Sequence, residues 1–92
     1  METNTPLGEV VYSKTGRDSD NYYIVVDIIN NDYVYIADGK LRKIEKPKKK
    51  KCKHLIFTGK FSMEIRTSIL GKKKISNSKI KSFLDTISNK EV

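Results

Sequence analysis

The stretch Tyr22 to Ile29, "YYIVVDII", constrains the fold most. It is almost wholly aromatic and β-branched, the side chains that fit a pleated, half-buried surface. Turn formers bound it on both sides: "TGRDSDN" over residues 15–21 before it and Asn30-Asn31-Asp32 after it. A second run, "YVYIA" over 33–37, follows at once. Its residues alternate, so either Val34 and Ile36 or Tyr33 and Tyr35 face the interior. Val10-Val11-Tyr12 reads as an earlier strand and "HLIF", 54–57, as a last one. Asp38-Gly39 has the residues of a two-residue hairpin turn, with "KLRKIE" as the returning strand and Pro47 ending it. Five short strands in about fifty residues predict a mainly β fold, a small, strongly bent barrel.

Beyond Phe57 the period changes. In 61–71, Ile65 and Ile69 are four apart and Gly71 is a helix stop. Ser76 or Ser78 suits a second N-cap, and Ile80, Phe83, Leu84 and Ile87 form one apolar stripe. Helices this short are marginal alone, so the pair is expected to dock on the barrel, with a protein partner as the other option. The organisation predicted is a barrel over 1–58, containing a basic segment at 40–53, and a helical tail over 59–92.

A chain of 92 residues buries roughly 60–65 % of its unfolded surface and supports one small core. No apolar stretch approaches the roughly 20 residues that cross a bilayer. The N-terminus lacks the basic start and apolar segment of a secretory signal. Cys52, the single cysteine, has no internal partner and fits a reducing compartment, so a cytoplasmic location is expected.

Charge is localised. Residues 40–53 hold nine bases, Lys40, Arg42, Lys43, Lys46, Lys48, Lys49, Lys50, Lys51 and Lys53, against one acid, Glu45. That excess equals the net charge of the whole chain, +8. Residues 1–39 are net acidic. A concentrated run of this kind attracts phosphates and releases their counterions. Being mostly lysine, it reads backbone and shape more than base sequence; Arg42 adds a planar fork. The competing readings are a solvated charge run, a nuclear address in "PKKKK", and an anionic membrane surface, for which no lipidation signal is present. Lys72, Lys73 and Lys74 stand ready to add phosphate contacts at the edge of the patch. Tyr33 and Tyr35 are the leading stacking platforms for unpaired bases; packing in the barrel is the ordinary role for either.

Cys52 and His54 are too few for a metal site, which takes about four ligands. No nucleophile–base–orienter constellation and no phosphate-cradling glycine loop is present, so neither enzyme chemistry nor a cofactor is expected.

The segment "GEVVYSKTGRDSDNYYIVVDI" resembles a KOW motif, a strand, a glycine-centred loop and a second apolar strand found in ribosomal proteins and transcription elongation factors. Gly8, Val10, Val11, Gly16 and Ile24-Val25-Val26 match its pattern. With "ADGKLRKIEKPKKKK", the whole chain is similar to small bacterial KOW-domain RNA-binding proteins, related to a large-subunit ribosomal protein of archaea and eukaryotes. The resemblance implies an SH3-like β-barrel whose KOW loop and adjoining strands bind RNA, ribosomal RNA foremost. It implies a turn role for Gly16 and RNA contacts for Lys14 and Arg17. Ser19 and Asp20 replace the usual lysine and glycine, which lowers the positive potential of the loop. A protein-interaction module of the transcription or translation machinery is the second class of function expected.

Overall fold

The computed structural model describes residues 5–14 and 21–89. Gly16 and Arg17 lie outside them. Five strands form one antiparallel sheet: β1 (Glu9–Ser13), β2 (Tyr22–Ile28), β3 (Tyr33–Ala37), β4 (Lys48–Lys51) and β5 (Leu55–Phe61), in the order β4-β3-β2-β1-β5. β4 and β5 are its two edges, so strand pairing does not close the sheet. A three-residue 3₁₀ turn, Cys52–His54, joins them. Helices α1 (Met63–Leu70) and α2 (Asn77–Asn89) follow.

Alternation along the strands divides the apolar residues between two faces. Val11, Tyr23, Val25, Val34, Ile36 and Leu55 form one core cluster. Val10, Ile24, Val26 and Ala37 point the other way and pack with Ile65, Ile80, Leu84 and Ile87 of the helices. The α2 stripe therefore docks on the chain's own sheet. Burying a side chain such as Ile80 or Leu84 contributes about 1.5–3 kcal/mol, enough to offset the marginal stability of a short isolated helix. "YVYIA" settles in the phase with Val34 and Ile36 inward.

Two turns are set by side chains. Asn30 Oδ1 accepts from the N–H groups of Asp32 and Tyr33, closing the β2–β3 hairpin. Asp38 Oδ1 accepts from Lys40 and Arg42, while Arg42 O accepts from Asp38 and Gly39. This second turn overturns the two-residue hairpin expected at Asp38-Gly39. "KLRKIE" curls into a loop, and the returning strand is the lysine run itself. Proline can precede a strand because no ladder bond is asked of it there. Lysines are tolerated because β4 is an edge with a neighbour on one side only, where lysines also discourage pairing with another molecule.

The last strand runs further than "HLIF", to Phe61, past a bulge where Thr58 Oγ1 donates to Val10 O (2.7 Å). Ser62 caps α1 by accepting from Ile65 N–H, and Ser76, not Ser78, caps α2 by accepting from Lys79 N–H. At the end of α1, Lys72 N–H donates to Ile69 O and Lys73 N–H to Ser68 O, a Schellman closure. The left-handed residue is Lys72 (φ 58°), not Gly71.

Arg66, buried on α1, donates from Nε to Leu7 O (2.7 Å) and from Nη2 to Thr5 O (3.0 Å). Its guanidinium lies 3.9 Å from the Phe61 ring centroid. It straps the N-terminal segment to the helix layer and serves the fold. Lys79 pairs with Glu64, joining α2 to α1.

Candidate nucleic-acid interface

The basic segment is divided by the pleat. β4 pairs with β3 as Ile36 opposite Lys48, Tyr35 opposite Lys49, Val34 opposite Lys50 and Tyr33 opposite Lys51. Residues directly opposite share a face, so Lys48 and Lys50 stand on the face of Ile36 and Val34, over the inner core. Lys50 is only 9 % exposed, and its methylene stem is largely withdrawn from water. Lys49 and Lys51 stand on the opposite face with the two tyrosines. "KKKK" is thus two pairs on two faces, not one fourfold patch.

On the outer face, Lys49 Nζ lies 4.8 Å from the Tyr33 ring centroid and Lys51 Nζ 5.8 Å from it. A cation over an aromatic face is worth about 0.5–1 kcal/mol at an exposed site, enough to hold both ammonium groups near the ring. A base stacking on Tyr33 would meet charge already in place. Tyr35 packs half-buried against the helix-side cluster, and the half-buried Tyr33 carries the two lysines.

The other predicted residues flank this centre. Lys40, Lys43 and Lys46 are exposed on the 38–47 loop, and Arg42 is half-buried with its backbone closing the Asp38 turn. Lys53 is exposed on the 3₁₀ turn. Lys14, at the end of β1, is exposed and its N–H donates to His54 O (3.0 Å), which ties the end of β1 to the same turn.

The loop is held on α2. Asn77 Oδ1 accepts from Ile44 N–H (2.8 Å) and Asn77 Nδ2 donates to Glu45 Oε1 (2.9 Å). This amide hydrogen bond, joined by a backbone hydrogen bond and by the nearby charges of Lys43 and Lys74, holds the Glu45 carboxyl below the ordinary carboxylate range. The same proximity brings Lys43 and Lys74, far apart in sequence, near one carboxylate. A groove of about 890 Å³ opens there, lined by Ile44, Ile69 and Ile75 with Glu45 and Lys72–Lys74. Glu45 and Asn77 carry no periodic signal; only a lone acid inside a basic run marks the first.

Burial, with Asp32 adding to it, pushes the Cys52 thiol up, away from the reactive thiolate. Among the described residues no group of three or more His, Cys, Asp or Glu side chains could hold a metal ion, and no helix is long and apolar enough to cross a membrane. Neither the known family models nor the curated proteins contain a match to this chain.

Proposed function

We propose that this chain is an RNA-binding protein of the KOW type, an SH3-like barrel with a helical tail that docks on structured RNA, ribosomal RNA first, in the cytoplasm. The single observation that carries this is the pair of ammonium groups, Lys49 and Lys51, gathered about the Tyr33 ring on one face of the β3–β4 hairpin. Lysines spaced two apart on a strand project about 6.6–7 Å from each other in a fixed direction. That is a rigid presentation of charge, unlike a solvated run. Lys40, Lys43 and Lys46 on the loop and Lys14 and Lys53 by the 3₁₀ turn extend it. For the barrel, the supporting features are the meander β1 to β4, the return of β5 to β1, and the bulges in β2 and β5 that bend the sheet.

The mechanism is electrostatic docking without covalent chemistry. With about five phosphates neutralised, log K against log salt falls with a slope near −3.5 to −4.5. Filter binding or anisotropy on a ribosomal RNA fragment across a salt series measures it. An affinity flat from low to moderate salt would defeat the proposal.

A protein-interaction role is the second reading. The α2 stripe is spent on the chain's own sheet, so it does not carry that role. Edge strand β5 and the start of α1 supply a different surface: Ile56, Phe57, Phe61 and Met63 are 46, 37, 41 and 60 % exposed. Release from ribosomes by RNase supports the first reading; retention on protein after RNase supports the second.

A further inference from the structure

The groove between the 38–47 loop and the α1–α2 turn combines three features that no single simple ligand class satisfies. Its floor is apolar, formed by Ile44, Ile69 and Ile75, each partly buried against the helix-side core. Its rim is cationic, with Lys72, Lys73 and Lys74 exposed on one side. Between them stands a carboxylate, Glu45, oriented by Asn77 Nδ2. A wholly apolar ligand leaves the lysines and the carboxylate unanswered. An acidic peptide answers the lysines but presents no flat apolar face carrying paired donors for Glu45. The occupant that fits carries an anion, a flat apolar face and hydrogen-bond donors on its rim.

From this arrangement we infer that the groove binds one unpaired guanine nucleotide of an RNA strand. The base lies on the isoleucine floor. Its N1–H and N2–H₂ are two adjacent donors, which a carboxylate accepts together. The phosphates on either side meet the lysine rim. A carboxylate has about four acceptor positions; Asn77 occupies one on Oε1 and a backbone N–H takes another, which leaves room for a pair of donors. Uracil and adenine are disfavoured because each turns an acceptor toward Glu45. Cytosine does the same through N3 beside its amino group. The groove's volume lies within the range of small-molecule sites and admits a nucleotide. The inference rests on the RNA-binding proposal and adds base selectivity to it.

The test uses the full chain and fluorescence anisotropy with two single-stranded RNAs about ten nucleotides long. One contains only uridine and the other has a single central guanosine. The guanosine RNA should bind about tenfold tighter, the discrimination a two-point base contact supplies. Glu45→Gln should abolish that preference, read as the ratio of the two affinities measured on the same variant. Lys73→Ser should weaken both RNAs alike. Failure of both single-stranded RNAs to bind, with the ribosomal RNA fragment still bound in the salt series, would overturn the guanine site alone; failure of all three would sink the RNA-binding proposal with it. Equal, salt-sensitive binding of both would leave RNA binding standing and overturn the guanine site. A guanine preference that survives Glu45→Gln would overturn its assignment to this groove. Tighter binding of an acidic, leucine-bearing peptide than of the guanosine RNA would overturn the choice of occupant.

Discussion

A β-carbon on Gly39 would stand 2.3 Å from the backbone carbonyl oxygen of Asn77. The basic loop and the first turn of α2 therefore meet backbone to backbone, and the surface built from them depends on that close approach. Gly39 also has φ of +79°, so the position excludes side chains twice over, by space and by conformation.

Gly39→Ala is expected to destabilise the fold by about 2–4 kcal/mol, combining backbone strain with overpacking against an atom that cannot rotate away. Urea unfolding measures it. A loss under about 0.5 kcal/mol, the level of an ordinary surface substitution, would mean that the loop is not seated on α2 as described.

The two lysine pairs should separate binding from folding. Replacing Lys49 and Lys51 with serine is expected to reduce the steepness of log K against log salt by about 1.4–1.8. Stability should change by less than about 1 kcal/mol per lysine replaced, since each loses only a cation–π contact. Lys50→Ser is expected instead to cost about 1–2 kcal/mol of stability, because its stem is buried. Thermal melts beside salt titrations check both halves; identical behaviour of the two variants would contradict the division by face.

The α1 terminus offers a gain. Lys72 holds the left-handed position of the Schellman closure, which costs a residue with a β-carbon about 1–2 kcal/mol and glycine little. Lys72→Gly is expected to raise stability by about 0.5–1 kcal/mol, less than the full relief because glycine also frees the unfolded chain. A lower urea midpoint would show that the lysine side chain stabilises the turn in some other way.

Acid should loosen the loop from α2 through Glu45. Its carboxyl is held below the ordinary range in the folded state, first by Asn77. A depressed folded value means that the contribution is present above the unfolded value and is lost as pH falls through the folded one. Wild type and Glu45→Gln compared by thermal melts at neutral pH and at about pH 3 should differ at neutral pH and converge in acid. The carboxylate is exposed, so the difference will be small. A gap that stays constant with pH would remove Glu45 from the clasp.

How far the sequence carried can be judged from single elements. "YVYIA" spans β3 from Tyr33 to Ala37 as its alternation predicts, and Ile80, Leu84 and Ile87 line the buried side of α2 as their spacing predicts. Asp38-Gly39 misled, because the Asp38 side chain accepts from the turn amides of Lys40 and Arg42 and draws the next residues out of the ladder. The lysine run misled too. Lysine has little preference for a strand, and only pairing with β3 makes it one.

By itself the sequence determined where apolar and charged residues fall along the chain, and hence four of the five strands, the two helices and the concentration of positive charge. Those follow from local periodicity, a property of neighbours in sequence. Which lysines face outward and which enter the core was decided only by the register of β4 on β3, since a shift of one residue exchanges the two sets. The meeting of Lys43 and Lys74 near Glu45 was likewise decided only by the docking of α2 on the sheet. A contact between segments so far apart in sequence leaves no local pattern in either of them.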